Sequence, residues 1–534
     1  MRNISRIICL LISALVFISA GCSKSHDYSL PEIRKLIDDG AHEKASHALE
    51  SFLQRHPGDE NALLLRGRES ERVDDLGSAL EDYNDILKKD PDFLDASEAR
   101  GKLRIRLKDY DGALADLQKV LDKGKADGRV LSSLGLAYFF RKDFDKAREL
   151  FDKSEKMDPT YDGPYFGRAA IDIDKKDYPA AIQELDKLLS FHPNNAQALF
   201  RRGFAYLKAS DSQKALDDFN KALELDPDLK EIYWYRAEAN RVLNRPEAAV
   251  DDYEQAETTD PNDPILHLNK GTVLMGMGRY SEALEELTRS IVLDPENPLP
   301  FINRAVLQFD TGNLLASLSD LNKAIKLRPN DPQLLIRRAY IFKLMARGDR
   351  ALDDLDTALT TDPGNHQALL LRGGLYFNET QLDRAINDLN EAIHQTPDDP
   401  SPYQLLAEAL LLRGDRKASL KEAHLSLEKD SSYIPAYISI GDIEMSDLNY
   451  DRAVEAYSRA LSLDPNNLEA RLKRAKLYIA LKDYGEAIDD LDGAAKVNPY
   501  SGEVYSLRSQ CYVAIGDKER ARQDTWRARV FVNR

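Results

Sequence analysis

The chain has 534 residues, far beyond the size at which a single hydrophobic core keeps growing, so an array or several domains is expected. Hydrophobic residues make up 43% and charged residues 31%, which argues against disorder and suits long amphipathic helices. A net charge of −17 keeps the chain soluble and argues against nucleic acid or anionic lipid as a general partner, since phosphate binding is driven by Lys and Arg.

Residues 1–22 read as a secretion leader. Arg2 and Arg6 supply the positive end, and Ile7 to Ile18 form an apolar stretch, broken only by Ser13, that is too short to span a bilayer. Small residues Ser19, Ala20 and Gly21 then precede Cys22. This ending resembles the bacterial lipobox, although Ser19 stands where that family usually has Leu; ordinary secretion with cleavage near Gly21 is the alternative. The resemblance implies a signal peptide over 1–21 and lipidation at Cys22, with residues 22–25 as anchor and tether. Ser23 follows the cysteine instead of the Asp that holds such proteins at the inner membrane, which implies an outer-membrane lipoprotein of the bacterial envelope, facing the periplasm. A three-residue tether reaches roughly 10 Å, so whatever follows starts near the lipid surface.

Residues 26–534 carry one period. Prolines recur at Pro57, Pro91, Pro159, Pro193, Pro227 and onward to Pro499, always 34 or 68 apart, and the two empty slots hold Lys125 and Ser431 in register. With proline as position 32, fifteen units run without a gap, the last one residue short. Position 8 is Gly or Ala in thirteen units and position 20 is Ala in thirteen and Ser in two, so two helices can approach closely there. Position 24 is large and apolar in most units, as in Tyr83, Phe151, Phe219 and Tyr457. Asp-Pro at positions 31–32 stops the second helix, and Gly40, Gly414 and Gly516 mark turns between helices.

The pattern is identified as that of the tetratricopeptide repeat, shown fully by Leu199, Gly203, Tyr206, Ala215, Phe219, Ala222 and Pro227 in the unit 196–229. The resemblance covers essentially all of 26–534. It implies an all-α fold, a right-handed superhelical solenoid of antiparallel helix pairs with about 15 such units.

The chain departs from that family at position 7. Eleven units place Arg or Lys there, and in all eleven position 23 is acidic, as in Arg202 with Asp218, Arg236 with Asp252, and Arg338 with Asp354. Both positions lie eight residues from the turn at position 15, so they face each other across the hairpin. These charges are expected to be structural ion pairs that fix hairpin register, not a basic patch.

Solenoids bind along the groove lined by the first helix of each unit. By resemblance to the family, positions 2, 5, 6, 9, 12 and 13 line it. The candidates are Phe166, Phe200, Trp234, Tyr235 and Tyr340, with Arg201, Asn269, Asn303 and Arg337 as polar contacts. Two readings stand: an apolar track for an extended peptide, or aromatics that pack against neighbouring repeats. The lysine that the chaperone-binding subclass uses at position 5 is absent. The last helix is basic, with Arg520, Arg522, Arg527, Arg529 and Trp526, as a solubilising cap or a docking end would be.

No phosphate loop, dinucleotide fingerprint or nucleophile constellation is present. Cys9 lies in the leader and Cys511 on an apolar helix face, so no disulfide framework or zinc pair arises. No enzymatic activity, cofactor or metal site is expected. The chain reads as a membrane-anchored scaffold or adaptor whose partners are peptide segments or folded envelope proteins, in envelope assembly, secretion or pilus machinery. The alternative is an accessory component of polysaccharide export or modification. The sequence sets no oligomeric state.

Overall fold

A computed structural model describes residues 27–125 and 127–531. The leader, Cys22 and the whole 22–25 tether lie outside the described residues. Among those described there are thirty helices and no strand, two helices for each of the fifteen units. None of these helices is long and apolar enough to cross a membrane.

Local chemistry sets each boundary. In repeat 6 the helices are Ala196–Lys208 and Ser212–Leu225. Asn195 caps the first through its side-chain oxygen, which accepts the Ala198 N–H at 2.9 Å. Asp211 caps the second by accepting from Lys214 N–H at 3.3 Å, satisfying donors that the first turn leaves unpaired. The second helix stops where Asp226 turns extended ahead of Pro227. Between the helices, position 15 adopts a left-handed conformation in all fifteen units, and only five of these residues are glycine. The others include Leu448, at φ 62°. The turn is therefore imposed by the hairpin and not by glycine alone.

The chain divides into two compact units, one ending at Pro261 and the other starting at Asn262. The first holds repeats 1–7 and the second repeats 8–15. In each, a first helix packs on its own second helix and on the next hairpin. The small residues sit where the helices cross. A Cβ on Gly203 would lie 2.7 Å from Phe219 Cε1 and 3.2 Å from the Ala215 carbonyl oxygen. The fully buried Phe219 ring fills the space that glycine leaves. Ser317 and Ser419, which replace the usual alanine, are also buried; their hydroxyls donate to the Ala305 and Ala407 carbonyls at 2.7 and 2.6 Å. Cys511 is a buried free thiol, and burial pushes its pKa up.

Candidate protein-binding grooves

The position 7 bases come first, because they decide which charges remain available. All eleven meet the acid at position 23 of their own unit. Arg202 grips Asp218 with both arms of its fork, Nε to Oδ2 at 2.8 Å and Nη2 to Oδ1 at 2.7 Å. Arg338 holds Asp354 in the same way at 2.8 and 2.6 Å. Arg236 donates to Asp252 from Nε at 3.0 Å and from Nη2 at 2.6 Å. Lys270, a point charge without a fork, reaches Glu286 at 2.9 Å. The hydrogen bond to Asp218, helped by Asp186, raises the Arg202 pKa above its usual value despite partial burial.

A third contact was not foreseen. The remaining arm, Nη1, donates to position 25 of the preceding repeat: Asp186 for Arg202 at 2.6 Å, Asn220 for Arg236 at 2.9 Å, and Asn322 for Arg338 at 2.7 Å. Nine of the ten arginines do this, and Arg66 is the exception. Each such guanidinium ties two helices of its own hairpin to the second helix before it. The signal was in the sequence, because position 25 carries a side-chain acceptor in each of the nine preceding units. These cations are committed inside the fold.

The nine groove candidates fall into two sets. In the first unit, Phe166, Phe200, Trp234 and Tyr235 are half-buried. Tyr235 of repeat 7 lies 5.6 Å from Phe200 and 5.3 Å from Phe204 of repeat 6, ring centre to ring centre, so this part of the aromatic run packs between repeats. Arg201 is exposed, stacks 5.3 Å over Phe166, and has its pKa lowered by desolvation among these rings. The indole N–H of Trp234 is buried and finds no acceptor among the described residues.

In the second unit, Asn269 and Asn303 are half-buried, and Asn303 donates to the Thr272 hydroxyl at 2.9 Å. Arg337 and Tyr340 are exposed and line a groove cavity of about 840 Å³ built from the first helices of repeats 9–12, with Ser317 and Leu321 from the second helix of repeat 9. Its apolar wall comes from Phe309, Ile336, Leu370, Leu371, Phe377 and Leu405. Gln333, Gln367 and Asn378 add amides, and Glu408 adds a carboxylate. Gly374 makes room: a Cβ there would meet nothing closer than 4.0 Å. Of the nine candidates only Arg337 and Tyr340 border this cavity. Position-by-position reading passed over the two glutamines at position 2, the glycine and Glu408, because a cavity depends on which neighbours are small. A groove of this kind, apolar with a few convergent polar groups, suits a ligand of several side chains.

Family models for the tetratricopeptide repeat match residues 64–127, 98–162, 196–229, 268–332, 345–410 and 445–511. The chain belongs to the tetratricopeptide repeat family. Among solved structures, this tetratricopeptide repeat chain is similar to the APC/C hetero-tetramer Cut9-Hcn1, at 17% identity and TM-score 0.39 over 94% of this chain and 98% of that one. It is similar to yeast Tom70 at 19% identity and TM-score 0.39, over 80% and 96% of the two chains. It is also similar to PilF of Pseudomonas aeruginosa at 22% identity and TM-score 0.35, over 40% and 97%. No curated protein matches the sequence.

The last repeat of this tetratricopeptide repeat chain presents a different surface. A smaller hollow of about 450 Å³ is lined by Val513, Lys518, Arg522, Trp526 and Arg529, with Trp526 65% exposed. Arg520 pairs with Asp517, just ahead of the helix Lys518–Phe531, and Arg527 pairs with Asp524 within it.

Proposed function

We propose that this chain is a lipid-anchored adaptor that holds other bacterial envelope proteins through its first-helix grooves and carries out no reaction of its own. The observation that carries this reading is the groove of repeats 9–12. It combines a continuous apolar wall with exposed Tyr340 and with Arg337, whose guanidinium makes no ion pair among the described residues. The family is a scaffold fold, and the paired position 7 and position 23 residues account structurally for the chain's most regular charges. The leader supports the anchor: Cys22 is the lipidated residue, and the array stands on the periplasmic side of the outer membrane. Assembly, secretion or pilus machinery is the setting this arrangement suits.

Both halves can be tested in one strain. Metabolic labelling with a palmitate analogue should mark the intact chain and not the Cys22→Ala variant, which should also leave the membrane fraction. A photoreactive residue at Tyr340 should give a discrete crosslinked species in cells. Equal labelling of the variant removes the anchor; no crosslink from Tyr340 or its groove neighbours removes the adaptor reading.

A further inference from the structure

The groove of repeats 9–12 is polar along its length as well as apolar. Arg337, from repeat 10, is exposed and forms no ion pair with a carboxylate among the described residues. Two repeats further on stands Glu408, half-buried, with Oε1 accepting from Gln404 Nε2 at 2.6 Å and from Ser439 Oγ at 2.9 Å. The nearby cation Lys473 is committed to Asp442 and Glu469, so it does not neutralise Glu408 directly. Asp310 and Lys343 also border the cavity, near the C-terminal ends of the first helices of repeats 9 and 10. Arg337 and Glu408 stand on the first helices of repeats 10 and 12, on either side of the apolar stretch that repeat 11 contributes. Between them lie Ile336, Leu370, Leu371 and Leu405, over the space left by Gly374.

Adjacent packed helices lie about 10 Å apart, so two repeats separate these charges by roughly 20 Å. An extended chain covers that in about six residues at roughly 3.3 Å each. We infer that this groove takes an extended segment of a partner protein with an acidic residue over Arg337, a short apolar run, and a basic or amide side chain on Glu408. This rests on the groove reading above and adds direction and chemistry to it. Opposite charges at the two ends would fix which way the segment runs, since reversing it would set acid against Glu408 and base against Arg337.

The test is selection of a random displayed decapeptide library on the full chain, on Arg337→Glu and on Tyr340→Ala, each variant first checked for native helicity. The expected outcome is enrichment, on the parent chain, of peptides with an acid and a basic or amide residue about six positions apart flanking apolar residues. A synthetic consensus peptide should bind Arg337→Glu more than tenfold more weakly, and exchanging its acid for Lys should restore binding. Enrichment that depends on Tyr340 but shows no charge order, or is unchanged by Arg337→Glu, overturns the directional proposal while leaving the groove. Charges spaced only three or four apart could not reach both Arg337 and Glu408 in any conformation and would overturn the two-ended, directional reading. No enrichment on the parent chain overturns both.

Discussion

Exchanging the two charges of a hairpin pair separates the contact inside a repeat from the contact between repeats. At Arg202–Asp218 both carboxylate oxygens are taken by the fork, and Asp218 is only 6% exposed. Arg202→Ala leaves that carboxylate buried without its counter-charge, at a cost of about 3 kcal/mol. Asp218→Ala is milder, about 1–2 kcal/mol, because the guanidinium keeps Asp186 and some water. The double exchange, Arg202→Asp with Asp218→Arg, restores attraction within the hairpin but sets the new carboxylate beside Asp186 of the preceding repeat. At Arg304–Asp320 the third arm ends instead on the neutral Thr288 hydroxyl, at 2.9 Å. There the same exchange should recover most of what either single reversal loses, and recovery at 202–218 should fall short of it by about 1 kcal/mol, the scale of a half-exposed pair. Repeat arrays unfold in parts, so the assay is native-state hydrogen exchange of amides in the affected helices, not a single global melt. Equal recovery at the two sites would refute the inter-repeat arm. A loss below about 0.5 kcal/mol for Arg202→Ala would refute the pair's importance altogether.

Other outcomes follow from the same packing. Gly203→Ala drives a Cβ into Phe219 and the Ala215 carbonyl, and overpacking of about 1–3 kcal/mol should outweigh the gain of about 1 kcal/mol in helix propensity; slower exchange in repeat 6 of the variant would contradict this. Leu448→Gly relieves a left-handed leucine and should stabilise the hairpin of repeat 13 by about 1 kcal/mol, read as slower amide exchange in 434–463, and faster exchange would count against it. Burial raises the Glu408 pKa, so the native state holds that proton more tightly than the unfolded chain and the carboxylate's contribution to stability falls as pH rises through the shifted value. Glu408→Gln should therefore gain stability relative to the parent at about pH 7 and little at about pH 4. Melting curves of repeats 11–13 by exchange at the two pH values would check it, and a gain larger at low pH would reverse the sign.

Much of the fold was legible because a repeat states each of its rules fifteen times. The prolines set the period, the small residues at positions 8 and 20 announced the helix crossings, and the coincidence of bases at 7 with acids at 23 gave a side-chain contact. Each of these depends on residues within one hairpin, at fixed separations. What stayed hidden depends on neighbours. The third arm of Arg202 ends on Asp186, a residue that looks like any exposed acid until the preceding repeat is stacked beside it. Leu448 carries no mark of its left-handed turn, because the conformation is imposed by the two helices it joins. The groove was legible as a set of positions but not as a cavity: Phe200 and Tyr235, chosen for their aromatic rings, mostly pack between repeats. Gly374 and Leu371, unremarked, shape the open space around Arg337 and Tyr340.

The most direct test of the adaptor reading is photo-crosslinking in intact cells from Tyr340 in the groove, alongside Leu315, which is 67% exposed on a second helix of the same unit. The account predicts a discrete adduct from Tyr340 that disappears in Arg337→Glu, and none of that size from Leu315. The same adduct from both positions, or one from Leu315 alone, would place the partner on the other face and contradict it.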